Sequence, residues 1–293
     1  MYWMAVAALA AQLATGGVAA DEPAARKPGA AQIVAKNVAA RGGLEAWRKV
    51  QTMVWSGHME SATAQVPSMQ FVLQQKRPNM TRFELTALNR RTVRLFDGTH
   101  GWRVHPTADG RTQAQPYTPQ ELKFAKEAQG IDGPLIDYEA KGIAVALDGV
   151  EDVEGHKAFR LNLRLPSGER HTVWIDASTF LEIKYDRTSY SATGVPGTVS
   201  VLYRDYKAVE GLKIPTTVVI GAGSTKAPDK MVIEKIAVNV PLDDRAFTNA
   251  GSPGARRAHV AGHPRGSPAG VRTPTVPPPT PDAANPDPGS LPR

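Results

Sequence analysis

The chain has 293 residues, a formal net charge of +7 and no cysteine. Without cysteine there can be no disulfide framework, no Cys-ligated zinc and no lipid-modified N-terminal Cys, so an exported form is expected to be soluble rather than lipid-anchored. The last forty-odd residues carry five arginines against two aspartates, and the mild charge left on the body argues against a nucleic-acid partner.

Residues 1–20 hold no charged side chain and are dominated by Ala, Val, Leu and Met. Val18-Ala19-Ala20 before Asp21 is a small-residue cleavage pattern, so the segment reads as a secretory signal peptide cut after Ala20. No Lys or Arg precedes the apolar run, which leaves an upstream start or a retained anchor as alternatives, but Thr15-Gly16-Gly17 interrupts the run and twenty residues is the minimum span, so cleavage is the favoured reading. At the other end, residues 251–293 hold 11 of the chain's 24 prolines and almost no large apolar residue. Such a tail cannot bury enough surface to offset its ordering entropy and is expected to be disordered. About 230 residues, 21–250, remain for one domain with a substantial core.

Residues 30–50 read as helix, with Ile33, Val34 and Val38 on one face and a stop at Arg41-Gly42-Gly43. A short restart over 44–50 presents Leu44, Trp47 and Val50. From 51 to 240 the pattern changes to period two. Met53, Trp55 and Met59 alternate with polar residues; Met69, Phe71 and Leu73 share a face, as do Phe83, Leu85 and Ala87. Strand side chains point alternately to opposite sides, so this pattern greases one face of a sheet. Asp97-Gly98 and Asp109-Gly110 mark hairpin turns, with Trp102 and Val104 on a return strand.

Thr118-Pro119-Gln120-Glu121 then combines an N-cap, a proline at the first helical position and the glutamate of a capping box. The helix it opens carries Leu122, Phe124, Ala125 and Ala128, and a second short helical piece is expected over 133–138, with Leu135 and Ile136. Strands resume near Ile143, where Phe159, Leu161, Leu163 and Leu165 alternate with Arg160, Asn162 and Arg164, and they continue in hairpins to Val240. The count is roughly ten or eleven strands, enough that an open sheet must curl or split. The fold class is mainly β (α+β): a strongly curved antiparallel sheet forming a half-barrel covered by helices.

Catalytic signatures are missing. The seven histidines are scattered without the i,i+4 pairing of a zinc helix, and no Gly-x-Ser-x-Gly, Walker loop or dinucleotide fingerprint occurs. Asp137 with Glu139, and Asp243 with Asp244, sit at element ends where capping or turn roles explain them better than acid–base work. No enzyme activity, metal or cofactor is expected.

In Arg41-Gly42-Gly43-Leu44-Glu45-Ala46-Trp47, Phe96-Asp97-Gly98-Thr99-His100-Gly101-Trp102, Asp132-Gly133-Pro134-Leu135-Ile136-Asp137-Tyr138, Trp174-Ile175-Asp176 and Gly211-Leu212-Lys213-Ile214-Pro215, the body resembles the LolA/LolB-like periplasmic proteins described as outer-membrane lipoprotein-sorting-protein-like. The resemblance implies a half-barrel enclosing an apolar cavity, located in the periplasm and carrying a lipid or lipidated protein. The cavity wall would be Trp55, Met59, Met69, Phe71, Phe83, Leu85, Leu161 and Leu163. The lid would carry Leu122, Phe124, Leu135 and Ile136. Alternation alone favours a solidly packed core, and the resemblance tips the reading to the cavity; a non-enzymatic sensor or scaffold acting on a membrane partner remains the second function class. A monomer is expected. Truncation after Ala250 should leave the thermal unfolding transition in place; its loss would show that the tail is part of the folded unit.

Overall fold

A computed structural model describes residues 28–249 apart from 62, 63, 65, 108, 129, 191–195 and 223–226. The predicted leader and proline-rich tail lie outside the described residues. Two helices open the fold, α1 (Ala30–Ala40) and α2 (Leu44–Lys49). Six strands follow: β1 (Thr52–Glu60), β2 (Ser68–Lys76), β3 (Met80–Ala87), β4 (Arg90–Phe96), β5 (Gly101–Pro106) and β6 (Thr112–Pro116). After α3 (Pro119–Glu127) come β7 (Ala144–Val153), β8 (His156–Arg164), β9 (Arg170–Asp176), β10 (Glu182–Tyr190), β11 (Pro196–Val209), β12 (Leu212–Ala222) and β13 (Asp229–Val238). A 3-10 turn at Asp244–Phe247 ends the described chain.

All the strands belong to one antiparallel sheet, ordered β6-β5-β4-β3-β2-β1-β13-β12-β11-β10-β9-β8-β7. The sheet is open, with β6 and β7 at its edges. The sequence reading of ten or eleven strands falls short of the 13 observed. Its weakest signal is β6, Thr-Gln-Ala-Gln-Pro, which has no large apolar residue to mark a period.

Curvature follows from one small helix. Within α3, Glu121 lies 3.9 Å from Arg94 of β4 and 3.5 Å from Arg103 of β5. Two residues on, Lys123 reaches Glu169 at 2.5 Å, and the Phe124 ring lies 4.4 Å from the Arg187 guanidinium of β10. In strand order β4 and β10 are seven steps apart, about 33 Å across a flat sheet. Nine helical residues span only about 13 Å. The sheet must therefore bend until its two halves face each other across α3.

Three parts of the chain line the inside of the bend. α1 buries Ile33 and Val34 against Leu161, Leu163, Leu165, Val173 and Ile175. α2 buries Trp47 with Val50, Met53, Leu212, Ile214 and Val238. The corner between these helices docks on β12, where the Arg41 carbonyl accepts from Lys213 N at 3.0 Å and from Trp47 Nε1 at 3.0 Å. Gly42 permits that approach: at φ 113° a side chain there would be strained, and its Cβ would run into the Gly211 carbonyl.

The third part differs from expectation. Residues 133–138 form consecutive turns rather than a helical piece, because Gly133 (φ 72°), Asp137 (φ 54°) and Gly142 (φ 68°) repeatedly throw the backbone into the left-handed region. A buried carboxylate holds this run. Asp132, 3% exposed, accepts from Arg77 at 2.6 Å and Lys141 at 2.7 Å. Its carbonyl accepts from Arg41, which also pairs with Glu182 of β10 at 3.1 Å. Burial lowers the pKa of Lys141 against the raising pull of Asp132.

The sheet is also less one-sided than its alternation suggests. Val93, Leu95 and Trp102 form a separate buried cluster. Register places Leu95 opposite Arg82 and Val93 opposite Glu84, on the face away from the bowl. The C-terminal segment crosses that outer face, tied by Thr52 to the Val240 carbonyl, Lys76 to the Leu242 carbonyl and Arg82 to the Ala246 carbonyl, and it ends in fully buried Phe247. Replacing Asp132 by Ala strands Arg77 and Lys141 without their shared carboxylate, and we expect a loss of about 3 kcal/mol of unfolding free energy. An unchanged denaturant midpoint would show that this clamp contributes nothing.

Candidate functional site

Strand register assembles the inner face of the bend. Trp55 of β1 lies opposite Leu73 of β2 and Ile236 of β13, and Leu73 lies opposite Phe83 of β3. Met59 lies between Met69 and Met231, and Phe71 opposite Leu85. Directly opposed residues share a sheet face, so these side chains form one apolar surface. Across the bowl, Tyr185 of β10 faces Val201 of β11, which faces Ile220 of β12.

The surface is buried unevenly. Phe71, Val201, Val218, Met231 and Ile233 are buried, whereas Trp55, Met59, Leu73, Phe83, Leu85, Tyr185, Tyr203, Ile220 and Ile236 pack against them while keeping part of their surface accessible. Met69 is likewise half-buried. Leu161 and Leu163, at 0% and 1% exposure, sit instead in the closed cluster beneath α1. The eight wall residues expected from sequence thus separate into five partly accessible ones on β1–β3, the buried Phe71 and a sealed pair on β8.

The four lid residues separate too. Leu122 and Phe124 lie on α3, where Phe124 is 46% exposed and no residue is buried. The capping box is present: the Thr118 hydroxyl accepts from Glu121 N at 3.2 Å, and the Glu121 carboxylate accepts from Thr118 N at 3.0 Å. Charge pairs and the Arg187–Phe124 stack hold this helix, together with Asn79, whose amide donates to the Ala125 carbonyl at 3.1 Å. Leu135 and Ile136 are both 0% exposed and belong to two different cores, Leu135 with α1 and Ile136 with Trp47. Both are core residues and neither lies on α3.

Polar groups on the inner face cluster on β9–β11. His171, 8% exposed, shares a 2.5 Å hydrogen bond with the Tyr185 hydroxyl. Burial lowers the imidazole pKa and raises the Tyr185 phenol, so a neutral pair meets there. Arg187 follows Tyr185 on the same face. The sequence reading did not single out Arg187; its signal is a charged residue in the inward phase of Ile183, Tyr185, Arg187. Trp55 Nε1 is buried and has no hydrogen-bond partner among the described residues.

The remaining candidates resolve as structural. Asp137 is a bidentate partner of Arg48, at 2.8 and 2.7 Å, and Asp243 caps the 3-10 turn through Arg245 N at 2.9 Å. Arg160 pairs with Asp148 and Glu151. Among the described residues no three His, Asp or Glu side chains gather to hold a metal ion, and no helix is long and apolar enough to cross a membrane. Since α3 buries nothing, its amides should exchange with solvent faster than those of α1; equal protection would show a cover fixed as firmly as the core.

No protein-family model and no curated protein matches the sequence. Among solved structures, the chain is similar to a LolA superfamily protein from Nitrosomonas europaea, at 13% identity and TM-score 0.50, covering 76% of this chain and 98% of that one. It is also similar to a DUF1329 family protein from Desulfovibrio piger, at 13% identity and TM-score 0.50, covering 74% and 96%. At such identity the likeness is one of fold alone.

Proposed function

We propose that the protein is an exported, non-catalytic carrier or binder of a lipid or lipidated protein in the cell envelope. One observation carries this reading: the apolar floor of β1–β3 and β11–β13 is left half-covered beneath a helix that buries none of its own residues. A sheet made only to close a core would bury Trp55, Met59, Phe83 and Leu85 as α1 buries Leu161 and Leu163. Each acyl methylene placed on that floor contributes about 0.8 kcal/mol of transfer free energy, so one long chain supplies several kcal/mol. Methionines at 59, 69 and 231 suit a variable guest, because an unbranched thioether repacks readily.

The uncovered group Trp55, Met59, Met69, Phe83 and Leu85 forms the ligand wall in this proposal, with buried Phe71 as its base, and α3 with Leu122 and Phe124 is the movable cover. The LolA-superfamily architecture supports the reading at the level of fold. Native mass spectrometry and lipid extraction of the purified full chain are expected to reveal a bound acyl lipid, or uptake of a hydrophobic fluorophore after delipidation. Protein that carries no lipid and admits no fluorophore would overturn the proposal. Capture of a single membrane protein by such lipid-free material would favour a scaffold.

A further inference from the structure

Arg187 is the inner-face cation whose charge is left unanswered. Its guanidinium stacks 4.4 Å from the Phe124 ring of α3. It makes no hydrogen bond or ion pair among the described residues, although neighbouring cations do: Arg94 and Arg103 pair with Glu121, and Lys184 on the outer face pairs with Asp186. The carboxylates of α3 are engaged elsewhere, Glu121 with these arginines and its own N-cap, and Glu127 with another partner.

The surroundings make this isolation costly. Burial pushes the guanidinium below its ordinary pKa, and the groups electrostatically coupled to it are neutral, namely Tyr185, Tyr203 and His171. A charge drawn from water into an apolar concavity without a counter-ion is disfavoured unless something supplies that counter-ion. Trp55 Nε1, on the same floor, is buried without an acceptor among the described residues. A floor of apolar carbon that carries a cation and an unmet donor suits an amphiphile whose polar end accepts.

We propose that the concavity selects acyl ligands with an anionic headgroup, carboxylate or phosphate, and that Arg187 is the headgroup's counter-ion. This inference rests on the carrier reading above and adds a ligand class to it. A guanidinium lying against an aromatic ring can still turn its planar N–H fork to a bidentate oxyanion without giving up that contact. The acyl chain would then run from Arg187 across the floor toward Phe83 and Trp55.

The test uses the delipidated full chain with sodium oleate and with monoolein, which shares the oleoyl tail and has no charge. Wild type should bind oleate more tightly than monoolein. Arg187→Gln should weaken oleate by about tenfold to a hundredfold, the range expected for one charge-assisted hydrogen-bonded pair, and leave monoolein within about twofold. Arg187→Lys, which keeps the charge and loses the fork, should fall between. Monoolein binding reports that each variant is folded. Oleate affinity unchanged in Arg187→Gln would overturn the assignment while leaving the carrier reading intact. Wild type binding neither amphiphile would overturn both, and displacement of oleate by equimolar acetate would overturn the lipid headgroup as the anion's source.

Discussion

The carboxylate of Asp132 is the point through which the interior is organised. It sits where turns 130–142, strand β2's outgoing end and the α1–α2 corner converge, and it satisfies two cations from different parts of the chain. Arg41, which donates to the Asp132 carbonyl, carries the connection on to Glu182, and Tyr206 donates to the Glu182 carbonyl at 2.9 Å. Helix corner, turn segment and strands β10 and β11 are thereby fixed to one another by directed bonds in a region nearly closed to water. Apolar contact alone would let these pieces slide; charges buried in pairs tolerate few alternative arrangements. Removing one member leaves others desolvated and unanswered, which is why the arrangement behaves as a unit.

That clamp divides the bowl. On its β8–β9 side, α1 and Leu135 fill the bend until the strand side chains disappear from solvent. On the β1–β3 side no such filler exists among the described residues, and α3 is held by charged tethers at its surface. The same alternation of apolar residues therefore yields a conventional core at one end and an unfinished one at the other. Rigidity and accessibility are distributed along a single sheet instead of between domains. A guest would meet a floor held in shape by the finished half.

Local chemistry was readable in the sequence and long-range placement was not. Thr118 and Glu121 announce a helix start through their own hydrogen bonds, and Gly42-Gly43 announces a stop, because both depend on a few adjacent residues. Period two in Met53, Trp55 and Met59 gives the inward face for the same reason. By contrast, Leu161 and Trp55 carry identical patterns, and only the docking of α1 over one of them decides which is sealed. Leu135 and Ile136 look like one helical face, yet neighbouring residues enter separate cores because positive-φ turns surround them. Arg41 and Glu182 meet across 141 positions, a distance no local pattern bridges. The placement of Val93, Leu95 and Trp102 on the outer face, apart from the other cores, follows from register across β3–β5 and not from any local pattern.

An open sheet leaves two rows of unpaired peptide groups, and the two rims of this one are protected in different ways. On β6 the final residue is Pro116, which offers no N–H, and the strand is short and polar. On β7 the register shifts between Leu147 and Gly149, and Asp148 projects beside the kink. A passing unfolded chain seeking a ladder would find no long flat template at either rim. Growth of the sheet by strand addition is therefore disfavoured at both borders, whatever the inner face of the bend takes up.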